Sequence, residues 1–169
     1  MTHADIIEKT VHFVQQTLAG AEGGHDWFHI LRVWNNAKTI AASEQVNLLV
    51  VELAALLHDI ADAKFHGGDE EIAPRLAGEF LTSLGVEPAI VGHVQNIIRH
   101  VSFKGGNFGQ GFHSPELAVV QDADRLDALG AIGIARTFNY GGFKNRAIYD
   151  PAIPPNLNMS KEEYKSSKA

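Results

Sequence analysis

The sequence predicts an all-α protein that folds as a compact helical bundle. Apolar residues recur at spacings of three and four along most of its 169 residues, which is the period of an amphipathic helix. No segment of useful length alternates apolar and polar residues as a strand does. With 45% apolar residues the chain can bury a core of its own, so we expect a single domain over residues 1–169.

The first half of the chain contains three predicted helices. In the first helix the apolar residues that form one face are Ile7, Val11, Val14 and Leu18, and glycines from Gly20 onward end it. A second helix is predicted from about residue 26 to 43, and a third from about 48 to 60. The third is apolar on nearly all sides, which predicts a buried central helix.

Glycine and proline mark the ends of the later helices. A fourth helix is predicted from near Asp69 to Gly85, where glycine is a typical C-terminal stop. A fifth begins with Pro88 in its first turn. The segment 102–115 (SFKGGNFGQGFHSP) is predicted to be a loop that ends on the first residues of a sixth helix.

The sixth helix carries the sequence ELAVVQDADRLDALG, and AIGIARTF continues in the same helical pattern. From Tyr140 the sequence turns to Gly, Pro and Asn with little periodicity. We therefore expect residues 141–169 to be loosely structured.

Composition excludes several classes of function. A formal net charge of −6 disfavours binding to a nucleic-acid polymer, which needs clustered Lys and Arg. No apolar run approaches about 18 residues, so no membrane span is expected, and the N-terminus lacks the apolar core of a signal peptide. A cytoplasmic location is the expectation. An apolar N-terminal helix can also support a homodimer, which we include among the expected partners.

The third predicted helix ends on an unusual pair of titratable residues. His58 and Asp59 directly follow the apolar run LAALL, at a helix end that the pattern places in the interior. An unpaired buried carboxylate is very costly, so Asp59 needs a cation. Histidine and carboxylate ligands in a chain with nine histidines and no cysteine suit Mn, Fe, Co, Ni or Zn. Further ligands are available in His29 and in an aspartate of the DAD segment.

Ordinary structural explanations stand beside this one. A single histidine on a helix is more often a hydrogen-bonded packing residue than a ligand. The acidic residues between 122 and 127 can form a solvated face, and Arg32 can extend to the surface over apolar neighbours.

Three segments in order, HDWFHILRV, LLHDIAD and DADRLDALG, resemble the HD superfamily of metal-dependent phosphohydrolases. The longer run from HDIADAKFHGGDE to QDADRLDALGAIGIARTF is similar to small bacterial HD hydrolases of the nucleotide pyrophosphohydrolase type. The resemblance covers about residues 20–140 and implies an HD-domain helical bundle with its core there. Relatives of this type usually continue past a segment like KEEYKSSKA, so residues 141–169 are expected to be a shorter C-terminal segment than theirs.

The resemblance implies one divalent transition metal ion, with Mn favoured among Mn, Ni, Co, Fe and Zn. Its implied ligands are His29, His58, Asp59 and Asp124. Asp124 is preferred to Asp122 because the AD-x-L pattern of the family matches residues 123–126. Asp122 and Asp127 remain candidates for orienting a ligand histidine. A second metal at His93 and His100 is the less favoured alternative.

Asp62 lies three residues beyond Asp59, where related nucleotidases carry an acidic residue. The resemblance therefore implies Asp62 as general acid or base, and the alternative is that it caps the next segment. Phosphate also needs cationic partners. The candidate substrate-binding residues are Arg32, Lys64, His66, His100 and Lys104, and backbone N–H groups of FKGGNFGQGF are a further candidate.

The expected function is metal-dependent hydrolysis of a small phosphorylated nucleotide. The specific form is a nucleoside or deoxynucleoside triphosphate pyrophosphohydrolase, which releases a monophosphate and pyrophosphate. A nucleotidase or phosphodiesterase on small nucleotides is the alternative reaction. A regulatory module that binds a nucleotide without hydrolysing it is the alternative of another class.

Overall fold

The computed structural model describes residues 1–21, 26–61, 69–102 and 111–154. In this part of the chain every regular element is an α-helix, as the periodicity predicted. The helices, α1 to α7, are His3–Thr17, Trp27–Ala41, Leu48–Leu57, Ile72–Ser83, Pro88–Val101, Pro115–Leu126 and Gly130–Phe143. None of the described helices is long and apolar enough to cross a membrane.

Helix α3 is the centre of the bundle, as its uniform apolarity predicted. Eight of its ten residues are buried, and α1, α2, α5 and α6 pack around it. The one charged residue among them, Glu52, accepts hydrogen bonds from Trp34 Nε1 at 2.8 Å and from His3 Nε2 at 2.9 Å. Those two bonds satisfy a buried carboxylate that would otherwise be costly.

Two predicted helix boundaries were wrong. Helix α3 ends at Leu57 rather than near residue 60, and His58 is its C-terminal cap. Helix α4 begins at Ile72 rather than near Asp69, because Asp69 Oδ1 accepts the N–H of Glu71 at 2.9 Å and holds a separate turn. Pro74 then falls in the first helical turn, where its missing N–H costs no internal hydrogen bond.

The start of α6 follows the predicted capping pattern. Ser114 Oγ accepts the N–H of Leu117 at 3.0 Å, and Pro115 takes the first helical position. The neighbouring Glu116 is buried and accepts the backbone N–H of Asn47 at 2.9 Å. This bond ties the start of α6 to the start of α3.

Helix α7 runs to Phe143, so the loss of periodicity predicted from Tyr140 begins slightly too early. Only Gly133 of its fourteen residues is buried. Its large apolar side chains are more than 40% exposed at Ile132, Ile134, Phe138 and Phe143. The large apolar side chains of α7 therefore do not pack into the core of the bundle.

Candidate metal centre

Side chains from α2, from the end of α3 and from α6 converge on one point. His29 Nε2 lies 3.7 Å from Asp59 Oδ2 and 3.6 Å from Asp124 Oδ1. His58 Nε2 lies 4.0 Å and 3.8 Å from the same two oxygens. Ligands that each lie about 2.1 Å from one ion are separated by about 3–4 Å. These histidine–aspartate distances fit one shared ion, and the ligand atoms of His29, His58 and Asp59 all lie within 4.8 Å of one another.

The bundle places each of these residues at the end of a helix. His29 is in the first turn of α2, where Asp26 Oδ1 caps the helix by accepting the N–H of His29 at 3.0 Å. His58 and Asp59 follow the last residue of α3, and Asp124 lies in the last turn of α6. Because α2, α3 and α6 pack against one another, these three ends meet.

A hydrogen bond on the far side of its ring orients His29. The imidazole is 1% exposed, and its Nδ1 lies 2.8 Å from Asp127 Oδ2. Burial lowers the pKa of His29 and the neighbouring His58 lowers it further, while Asp59 and Asp127 act in the opposite direction. The ring is therefore neutral near pH 7, with Nδ1–H donated to Asp127 and the lone pair of Nε2 directed at Asp59 and Asp124.

His58 is oriented in a similar way by the backbone. Its Nδ1 donates to the carbonyl oxygen of Ala55 at 2.9 Å, which leaves Nε2 as the atom with the free lone pair. That Nε2 is buried and has no hydrogen-bond partner in the described part of the chain. A buried polar atom without a partner costs about 1–3 kcal/mol. A metal ion satisfies it, so the donor set fits a divalent transition metal ion.

The two carboxylates give the centre an open side. The side chains of Asp59 and Asp124 are 28% and 29% exposed, whereas both imidazoles are almost fully buried. A catalytic metal site differs from a structural one in leaving a position for water or substrate. This arrangement has the form of a catalytic site.

Asp127 is the carboxylate that supports His29. It is 3% exposed and accepts two hydrogen bonds from Arg32, from Nε to Oδ1 at 2.6 Å and from Nη2 to Oδ2 at 3.0 Å. Burial raises the pKa of Asp127, but the hydrogen bonds from Arg32 and His29 outweigh it and hold that pKa below its ordinary value. Asp127 is therefore ionised and keeps the proton of His29 on Nδ1.

The sequence left open which acid orients a ligand histidine, and the structure gives this position to Asp127. Asp122 instead points outward: its side chain is 65% exposed and lies 3.9 Å from Arg125. Arg32, predicted to bind substrate, has its two hydrogen bonds to Asp127, on the side of His29 away from Nε2. Arg136, a further partner of Asp127, was not among the predicted site residues, although it lies in the run QDADRLDALGAIGIARTF that resembles HD hydrolases.

The histidines proposed for a second metal have other partners. His93 Nε2 lies 3.0 Å from Ser114 Oγ and 3.6 Å from Glu116 Oε2. His100 donates from Nδ1 to the carbonyl oxygen of Asn96 at 2.8 Å. The remaining predicted site residues, Asp62, Lys64, His66 and Lys104, lie outside the described residues, as does most of FKGGNFGQGF.

The sequence and the fold of this chain match those of proteins with an HD domain. The family model of the HD domain matches residues 27–129. The chain is 38% identical over 138 residues to YpgQ of Bacillus subtilis. The matched residues cover 81% of this chain and 67% of YpgQ. A crystal structure of YpgQ in complex with ADP superposes with a TM-score of 0.70 at 36% identity, over 89% of this chain and 72% of that one.

Two further crystal structures are similar. One is a Lactobacillus plantarum protein with a TM-score of 0.85 and 35% identity, over 100% of this chain and 78% of that one. The other is an HD-superfamily hydrolase from Bacillus thuringiensis with a TM-score of 0.70 and 44% identity, over 98% and 80% of the two chains. Residues 27–129, which the family model matches, contain His29, His58, Asp59 and Asp124. The chain therefore belongs to the HD-domain family and is a metal-dependent hydrolase of the HD superfamily.

Proposed function

We propose that this hydrolase cleaves a phosphoanhydride bond of a small nucleotide. Specifically, we propose that it converts a nucleoside or deoxynucleoside triphosphate and water into a monophosphate and pyrophosphate. The observation that carries the proposal is the pair of buried Nε2 atoms of His29 and His58, both turned toward the same two partly exposed carboxylates. YpgQ in its complex with ADP supports a nucleotide as ligand. Cleavage between the α and β phosphates is the finer part of the proposal.

In this proposal His29, His58, Asp59 and Asp124 hold one divalent ion, with Mn favoured. When bound, such an ion polarises a phosphoryl oxygen and lowers the pKa of a coordinated water. The protein supplies the fixed directions: two imidazoles locked by Asp127 and by the carbonyl of Ala55, and two carboxylates on the solvent side. Donors whose directions are fixed by hydrogen bonds cost little reorganisation during a reaction.

We assign the general acid or base to Asp62 on the basis of its position three residues after Asp59. For the phosphate groups we propose contacts from Lys64, His66, His100 and Lys104. Arg32 remains a candidate as well. A guanidinium has five N–H donors, and Asp127 accepts from two of them, so others can still donate to a phosphate oxygen.

The test is a nucleotide screen on metal-loaded protein in which phosphate and pyrophosphate are measured separately. Release of pyrophosphate from triphosphates, in equal amount to the monophosphate, supports the proposal. Release of phosphate from monophosphates, or cleavage of a phosphodiester, replaces it with the nucleotidase or phosphodiesterase alternative. Nucleotide binding without any product contradicts hydrolysis and supports a regulatory module. A homodimer stays a prediction that light scattering tests.

A further inference from the structure

A second arginine, which lies outside residues 27–129 matched by the HD-domain model, also contacts Asp127. Arg136 of α7 donates from Nη1 to Asp127 Oδ2 at 2.9 Å, and its side chain is 19% exposed. The same oxygen accepts the Nδ1–H of His29 at 2.8 Å. Arg136 and His29 therefore share one acceptor atom.

Arg136 completes the set of donors that fixes this carboxylate. Arg32 also donates to Oδ2, at 3.0 Å, and its side chain is 36% exposed. Arg136 is the less exposed of the two cations, so solvent screens its interaction less. Without Arg136, Arg32 is the remaining one of these two cations that donates to Asp127 Oδ2. Arg32 divides its hydrogen bonds between both carboxylate oxygens, and its side chain is more exposed than that of Arg136.

The turn between α6 and α7 places Arg136 next to Asp127. Gly130 has φ +64°, a conformation that glycine adopts without strain, and it opens α7 three residues after the cap of α6. Gly133 then passes so close to Ala128 that an added Cβ would overlap the carbonyl group of that residue. A side chain at position 133 would push α7 away, and Arg136 is one turn farther along the same helix.

Gly133 is the only buried residue of α7, so the apolar side chains of this helix contribute little to its placement. We propose that Arg136 is a positioning residue that holds His29 through Asp127, so that the placement of α7 sets the metal affinity of the centre. The inference rests on the proposed metal centre, and it adds a helix that lies outside residues 27–129, which the HD-domain model matches. Partners that hold a metal-ligating histidine commonly change metal affinity about 10- to 100-fold when they are removed.

The first test is Mn²⁺ binding by calorimetry to the wild type and to Arg136→Gln. The matched control is Arg75→Gln, which removes the same charge from α4, where the Arg75 side chain is 54% exposed. We expect the dissociation constant to rise about 10-fold in the Arg136 variant and to stay at the wild-type value in the control. Equal affinities of the wild type and Arg136→Gln would overturn this inference alone. A wild type that binds no Mn²⁺ would overturn the proposed metal centre and this inference with it.

A second pair of variants leaves every charge in place. Gly133→Ala should displace α7 and weaken Mn²⁺ binding, whereas Gly141→Ala in the same helix meets no atom within 4 Å and should not. This pair decides the matter if Arg136→Gln does not fold, and equal affinities of the two glycine variants would overturn the inference. The visible absorption of the Co²⁺-saturated protein adds a structural readout. We expect the spectrum to change in Gly133→Ala, while a loss of stability alone would leave it unchanged.

Discussion

Asp127 Oδ2 accepts the Nδ1–H of His29 at 2.8 Å, and both side chains are almost fully buried. The bond crosses 98 positions of sequence and joins the start of α2 to the cap of α6. Its effect is to place the lone pair of His29 Nε2 on the side of Asp59 and Asp124. The orientation of His29, a proposed metal ligand, is thus determined by a residue on the opposite side of its ring.

Asp127→Asn should weaken Mn²⁺ binding about 10- to 100-fold, the usual effect of removing a partner of a ligand histidine. The variant loses the charge that keeps the proton on Nδ1, and it leaves Arg32 and Arg136 without their anion. Calorimetric titration of Mn²⁺ measures the effect. Asp122→Asn is the matched control, because that side chain is 65% exposed. Stronger loss in the control than in Asp127→Asn would show that the wrong aspartate has been assigned.

Mn²⁺ should stabilise the wild-type protein against unfolding. At a free concentration of about 100 times its dissociation constant, a ligand that binds only the folded state adds about 2.7 kcal/mol to the free energy of unfolding. His58→Ala removes the Nε2 that has no hydrogen-bond partner among the described residues, and with it most of this gain. Thermal unfolding with Mn²⁺ and with chelator measures the difference. An unchanged gain in the variant would place the ion away from His58.

Asp62→Asn should keep Mn²⁺ and nucleotide binding but lose most of the turnover, since the amide cannot exchange a proton with water or a leaving group. Positioned acids and bases typically contribute about 10²- to 10⁴-fold to a rate. Single-turnover measurements on the metal-loaded variant separate this loss from weaker binding. Wild-type turnover would remove Asp62 from the mechanism. Asp69→Asn is the control, because the Asp69 side chain is 43% exposed and lies 3.4 Å from Arg75 Nη2, and it should leave turnover unchanged.

Glu116→Gln should lower stability near neutral pH and have little effect in acid. Burial raises the pKa of Glu116, but the N–H of Asn47 and the nearby His93 and Ser114 outweigh it, so the folded-state pKa lies below its ordinary value of 4.5. The stabilisation is therefore present above about that value and is lost as pH falls through the lower folded-state pKa. A hydrogen bond to a charged group is worth about 1.5–3 kcal/mol.

Urea unfolding of the wild type and Glu116→Gln at pH 7 and pH 3.5 measures this difference. Glu87→Gln is the control, because Glu87 precedes α5 and makes no capping hydrogen bond there. A difference between the wild type and Glu116→Gln that grows toward acid pH would contradict the assignment.

Local pattern was sufficient to predict the helical class, whereas the set of four candidate ligands came from the resemblance to the HD superfamily. His58 and Asp59 stand out because they follow an apolar run, and Ser114 with Pro115 marks a helix start by chemistry alone. The start of α4 was misplaced because the turn at Asp69 competes with the helix through a single side-chain hydrogen bond.

The hydrogen bonds from Arg32 and Arg136 to Asp127, which holds His29, could not be predicted from local pattern. Arg32 was correctly placed on the face of His29, yet its anion, Asp127, is 95 residues away in sequence. Arg136 reaches Asp127 only because the chain turns sharply between α6 and α7. Which cation meets which carboxylate depends on tertiary packing, and periodicity carries no information about it.

The central claim is that His29, His58, Asp59 and Asp124 hold one divalent ion. An anomalous-difference map from crystals grown with Mn²⁺, collected at the manganese edge, tests it most directly. The predicted result is one peak about 2.0–2.3 Å from the Nε2 atoms of both histidines and from a carboxylate oxygen of each aspartate. A peak at any other set of side chains, or full metal binding in solution without a peak at these four, would contradict the account.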